Sequence, residues 1–174
     1  MTCRVSTTTR ILGIDPGSRL LGIGIIELEG KKATLVMHET LVLHELPLAE
    51  RLGTIFSRLS NIIQAHHPQD MAIEQVFMQK NVQSALKLGQ ARGVAIACGA
   101  VHHLNVSEYA PRQIKLAVVG KGGAEKVQVQ YMVKVLLGVS EKLPPDSADA
   151  LAIALCHSYH RMNHYASLLI RNAG

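Results

Sequence analysis

Apolar residues fill Ile11 to Ile14 in ILGIDPGS, and Asp15 ends the run before a Pro16-Gly17-Ser18 turn. The pattern predicts a buried strand over residues 10–15. LGIGIIELE alternates in its second half and reads as its hairpin partner, and ATLVMHETLVL as a third strand. After Pro47 the period changes. Leu48, Leu52, Ile55, Leu59, Ile62 and Ile63 recur at helical spacing, and His66-His67-Pro68 closes that helix. MAIEQVF reads as a short central strand, SALKLGQARGVAIACGAVHHL as a helix and VSEY as a strand. AEKVQVQYMVKVLLG predicts a helix with Lys126, Gln130 and Lys134 on one polar stripe, and DSADALAIALCHSYH predicts the last helix after Pro144-Pro145.

Three hairpin-linked strands followed by alternating helices and strands predict an α/β fold. The expected architecture is a mixed five-stranded sheet, three strands antiparallel and the others parallel, flanked by helices. No linker or repeat interrupts residues 10–162, which read as one domain with loose tails at 1–9 and 163–174. The apolar content of 48% supports a folded chain, and with 3% aromatics and no Trp the core must be aliphatic. The run VAIACGAV is much shorter than the roughly 20 residues of a membrane span, and the N-terminus lacks the apolar stretch of a secretory signal. Cys3, Cys98 and Cys156 have no CxxC spacing and suit unpaired thiols in the cytoplasm.

Net charge is +5 and unevenly placed. Between Gln75 and Ala124 stand six cations, Lys80, Lys87, Arg92, Arg112, Lys115 and Lys121, against the single acid Glu108, whereas the rest of the chain is neutral. Such a stretch suits a polyanion held by its phosphates, although basic faces also serve solubility alone.

Four acids carry the chemistry. Asp15 ends a strand, where it would cap the Pro-Gly turn or face a ligand. The small residues Gly13, Gly17, Gly22 and Gly24 around it allow a backbone or ligand to approach. Glu74 lies in a central strand, where a free carboxylate is costly. Asp146 and Asp149 read from spacing first as an N-cap and its N3 acid; the same spacing also places both on one helix face, aimed at a shared ion. If the fold gathers these acids, their repulsion calls for a divalent cation. Phe77 is one of two Phe and reads as core or as a wedge against an unpaired base. Lys115 and Lys126 read as surface cations or phosphate ligands, and Gly89 and Gly93 as internal packing or a dimer seam. His157, His160 and His164 share a helical face but lack the partners of a zinc site.

The runs ILGIDPGSRLLGIGII, EQVFMQKNVQSALKLGQARG, PRQIKLAVVGKGGAEKVQVQYMV and DSADALAIA closely resemble the RuvC family of Holliday-junction resolvases, within the RNase H-like nuclease superfamily. The resemblance extends from Ile11 to about His160. It implies that Asp15, Glu74, Asp146 and Asp149 are metal-binding catalytic carboxylates, Phe77 the junction-contacting aromatic, and Lys115 and Lys126 basic residues of the active site. It also implies a homodimer working with a branch-migration motor of the RuvA/RuvB type. The expected reaction is hydrolysis of a four-way DNA junction by two Mg²⁺ ions, with Mn²⁺ as substitute, since oxygen donors select hard ions. Two strands of like polarity would be nicked symmetrically, leaving 5′-phosphate and 3′-hydroxyl ends. Lys80, Lys87, Arg92, Arg112 and Lys121 would hold phosphates beside the site. The rivals are an RNase H-like nuclease acting on RNA or an RNA–DNA hybrid, a non-catalytic junction-binding module, and an actin-type nucleotide-binding domain, for which 174 residues leave no duplicated half.

Overall fold

In the computed structural model, residues 8–75 and 81–171 are described, with side chains of the last helix placed as far as Met162. Strand β1 (Thr9–Asp15) lies at the centre of a sheet ordered β3-β2-β1-β4-β5. It pairs antiparallel with β2 (Leu20–Glu29), which pairs antiparallel with β3 (Lys32–Val42). On its other side β1 runs parallel to β4 (Asp70–Glu74), which runs parallel to β5 (Asn105–Tyr109). The parallel steps require crossovers, supplied by helix α1 (Leu48–His66) before β4 and α2 (Val82–Val101) before β5. Then come α3 (Pro111–Val119), α4 (Lys126–Leu137) and α5 (Pro145–Arg171).

Two cores follow from the period-2 alternation of the central strands. Leu12, Ile14, Met71 and Ile73 face α1 and α2, with Ile55, Leu59, Ala91 and Ala95 against them. Ile11 and Ala72 face the other layer, with Ile114, Val133, Leu151 and Leu155 from α3, α4 and α5. α5 lies directly on the sheet. A Cβ added at Gly13 would fall 2.0 Å from the carbonyl oxygen of Ala150, and one at Gly22 would fall 2.1 Å from that of Asp146. Of the four small residues expected to admit a backbone or a ligand, Gly13 and Gly22 therefore admit the backbone of α5, whereas Gly24 admits the Leu151 side chain of that helix and Gly17 the carbonyl of Leu20 in its own turn.

The expected mixed five-stranded sheet is present, with local differences. Sequence reading finds no helix over 111–119. Its start is written in Pro111 at the first helical position and in Gln113, whose Oε1 accepts from the backbone N–H of Ala110 at 2.8 Å. The central strand ends at Glu74, short of the expected Phe77, and α5 continues to Arg171, past His160. On α4 the exposed stripe is Val127, Tyr131 and Val135, and of the expected polar stripe only Lys126 is exposed, with Gln130 and Lys134 half-buried. The buried face of that helix is Val129, Val133 and Leu137, which fixes the rest by rotation. Among the described residues, no helix is long and apolar enough to cross a membrane.

Candidate active site

Parallel pairing brings the first two acids together. Ile14 stands opposite Ile73, so Asp15 and Glu74 are the next residues on neighbouring strands. Alternation from the buried Ile14 and Ile73 turns both side chains to the face that carries α5. Asp15 also stands opposite Gly22, on which the backbone of Asp146 rests. One turn along α5, Asp149 then reaches the same place. Asp15, Glu74 and Asp149 line one cavity of about 320 Å³ with Lys115 of α3 and Lys126 of α4. Its apolar wall is Pro111, Ile114, Val129, Ala152 and Ile153.

Asp146 is placed differently. It sits half-buried in the first turn of α5, outside the cavity lining, and its charge still acts on Asp15, Lys126 and Asp149. It is not the N-cap that the Asp-x-x-Asp spacing suggests. The helix begins at Pro145, one residue before it, and the N–H of Ala148 bonds the carbonyl of Pro144 at 2.9 Å.

The electrostatics are those of crowded carboxylates. Burial, and then the charges of Glu74 and Asp149, push the Asp15 acid up to about 8 despite the opposing charge of Lys126. Burial and Asp149 also raise Glu74, against Lys126 and Lys115. Asp149 is raised by burial and less so by Asp146, although Nζ of Lys126 lies 2.5 Å from its Oδ2. The ammonium occupies the position a cation would favour. The donors are hard oxygens, with no His or Cys in the lining, which fits Mg²⁺ or Mn²⁺ and not Zn²⁺. As placed, no three His, Cys, Asp or Glu side chains among the described residues close around a single ion.

The other expected contacts divide. Phe77 and Lys80 lie outside the described residues. Lys87 on α2, Arg112 on α3 and Lys121 between α3 and α4 are exposed. Arg92 is engaged within the chain. Its Nε donates to the carbonyl of Glu74 at 3.1 Å, and its terminal nitrogen pairs with Glu108. Gly89 and Gly93 take no part in internal packing, since among the described residues nothing lies within 4 Å of a Cβ added at either. His157 is absorbed by a buried network: Nδ1 meets the Tyr109 hydroxyl at 2.8 Å and Nε2 meets Oδ2 of Asp70 at 3.2 Å. That carboxylate, 1% exposed, also accepts from Arg161 and Asn105. The role of Asp70 is not visible in sequence, where it reads as the polar residue before a strand.

The family model described as crossover junction endodeoxyribonuclease RuvC matches residues 11–157. The RuvC of Marinobacter nauticus is 52% identical over 164 residues, covering 94% of this chain and 93% of that protein. The RuvC of Methylococcus capsulatus is 54% identical over 153 residues, covering 88% and 92%. Among solved structures, the Thermus thermophilus RuvC in complex with a Holliday junction substrate superposes with a TM-score of 0.85 at 34% identity, covering 90% of this chain and 96% of that one.

Proposed function

The chain belongs to the RuvC family of crossover junction endodeoxyribonucleases, and from that membership we propose that the Asp15–Glu74–Asp149 cavity is where it cuts DNA. It is an endonuclease of four-way junctions. The observation that carries the assignment to this cavity is the meeting of strand-end acids from β1 and β4 with Asp149 and two lysines.

Asp15, Glu74 and Asp149, with Asp146 at the rim, would hold two Mg²⁺ ions, which Mn²⁺ would replace. The chemistry that divalent ions would supply there is a more acidic water and neutralisation of charge on the leaving 3′ oxygen. The chain's own residues do the rest. The apolar wall of Ile114, Val129 and Ile153 excludes bulk water and strengthens every charge interaction inside. Lys115, whose charge acts on Glu74, would meet the scissile phosphate, and Lys126, paired with Asp149 in this structure, would offset negative charge developing on the same phosphate. Lys87, Arg112 and Lys121 would hold flanking phosphates without reading sequence; Phe77 keeps the junction-contacting role that the resemblance implies, and Lys80 the phosphate-holding role that the basic stretch suggests.

A homodimer would supply two such sites to a two-fold symmetric junction and nick strands of like polarity, leaving 5′-phosphate ends. Val82, Leu86, Gly89, Gly93, Ala97 and Ala100 form one helical seam on α2, exposed throughout. Val82 and Leu86 are 72% and 63% exposed, which favours this seam for the partner copy. We place the enzyme in the cytoplasm with a branch-migration motor, a setting that the unpaired Cys98 and Cys156 suit.

The test is cleavage of a labelled four-way junction beside linear duplex and an RNA–DNA hybrid, with Mg²⁺ or Mn²⁺, for wild type and Glu74→Gln. Paired nicks in the junction alone, abolished by Glu74→Gln with binding retained, are expected. Preferential cutting of the hybrid would overturn the substrate, and an active Glu74→Gln would overturn the site.

A further inference from the structure

Glu74 is the last residue of β4, and the ladder to β1 ends one residue earlier at Ile14 and Ile73. Beyond it, the N–H of Gln75 bonds the carbonyl of Tyr109 at 2.8 Å. The backbone that aims the Glu74 carboxylate therefore sits where β4 is still paired to β5 and no longer to β1. Its carbonyl would lack a strand partner on the β1 side. The partner is a side chain from the opposite layer. Arg92 Nε donates to the Glu74 carbonyl at 3.1 Å from α2.

The guanidinium is itself held. Glu108, opposite Ile73 in the β4–β5 register, pairs with the terminal nitrogen of Arg92. Tyr109, the next residue, packs into the core beneath α5, so alternation sends Glu108 to the α2 face. Arg92 and Glu108 thus grip the end of β4 from one side of the sheet while the Glu74 carboxylate points to the other. A planar fork with fixed donor directions suits two acceptors at once, one neutral and one charged. The Arg92 side chain is 20% exposed and lies outside the cavity lining, where Lys115 and Lys126 stand instead.

We infer that Arg92 is a positioning residue, bracketing the backbone of Glu74 to Glu108 so that the carboxylate keeps its aim into the cavity it shares with Asp15 and Asp149. It is not a DNA contact, although it lies in the most basic stretch of the chain. The inference rests on the reading of Glu74 as a catalytic carboxylate. Displacing such a group by about 1 Å costs on the order of 10²-fold in rate.

The two roles predict opposite results. For a positioning residue, Arg92→Gln lowers the cleavage rate at saturating junction by about 10–100-fold. Junction affinity, and the slope of affinity against salt, stay at wild type. A lost phosphate contact instead weakens binding and lowers the salt slope by about one. Arg92→Lys, which keeps the charge but reaches only one acceptor, should recover part of the rate. Glu108→Gln, at an exposed side chain, frees the guanidinium without emptying the site and should slow cleavage less than Arg92→Gln; it keeps the test alive if Arg92→Gln does not fold. Weakened binding with an unchanged saturated rate overturns the inference, as do wild-type rates in both variants. Glu74→Gln is run in parallel: if it cuts normally the reading of the site falls, whereas if it is inert and Arg92→Gln cuts like wild type, only the present inference falls.

Discussion

Nζ of Lys126 stands 2.5 Å from Oδ2 of Asp149, joining the first residue of α4 to the acid that α5 carries into the cavity. The same ammonium also opposes the upward shifts of Asp15 and Glu74. Lys126→Met should therefore raise all three carboxyls further. The pH of half-maximal cleavage should move upward, with a drop on the order of tenfold at neutral pH for each unit of rise and partial recovery in alkaline buffer. A pH–rate profile at subsaturating Mg²⁺, where protons compete with the metal for these carboxyls, decides it; an unshifted midpoint would refute the electrostatic role.

Asp15 has a folded-state value of about 8, above the 3.8 of a free carboxyl. A raised acid stabilises the fold below its unfolded value and loses that contribution as pH rises through the folded one. The metal-free protein should accordingly lose stability between about pH 4 and 8. Asp15→Asn should raise the metal-free Tm, by about 2–4 °C per ~1 kcal/mol recovered, with a gap over wild type that widens as pH rises. Mg²⁺ should stabilise wild type far more than the variant. A lower Tm for Asp15→Asn in metal-free buffer would make the residue a structural turn acid.

Gly22→Ala would put a Cβ 2.1 Å from the carbonyl oxygen of Asp146 and 2.6 Å from its carbon. Backbone cannot yield as a flexible side chain does, so α5 must lift from the sheet. A loss of about 1–3 kcal/mol or more is expected, with loss of cleavage because Asp149 moves with the helix. Gly53→Ala, where the space is open and the backbone helical, is the control and should gain up to about 1 kcal/mol. Urea melts of both variants check this.

Burial by itself would raise Asp70, but hydrogen bonds from His157 and Asn105, with the charge of Arg161, bring it below the ordinary carboxylate value. A lowered acid contributes stability above its unfolded value, and loses it as pH falls through the folded one. Asp70→Ala should cost about 3–5 kcal/mol at neutral pH by leaving buried partners without an acceptor. The gap to wild type should narrow in acid, and a gap independent of pH would count against it.

Leu86→Glu, at a side chain 63% exposed, should leave the monomer fold intact while blocking self-association through the α2 seam. Sedimentation would show one protomer, and paired junction nicking would fall with it. A dimer of unchanged affinity would move the interface elsewhere.

Much of this protein is legible in its order of residues. ILGI and MAIE read as buried strands because alternation and turn chemistry are local, and EQVFMQKNVQSALKLGQARG announces the family by itself. Asp15 and Glu74 stand out because a carboxylate ending an apolar strand needs a reason. Position in space is another matter. That Asp15 and Glu74 are neighbours depends on the parallel register of β1 and β4, between residues 59 apart in the chain. That Gly13 and Gly22 exist for α5, that Asp149 enters the cavity while Asp146 stays outside its lining, and that Arg92 turns inward to Glu74 and Glu108 are consequences of helix placement. Sequence fixes which groups are costly to bury alone; only long-range packing decides which partner each one meets, because that choice is made by contacts that close across the sheet and carry no local signature.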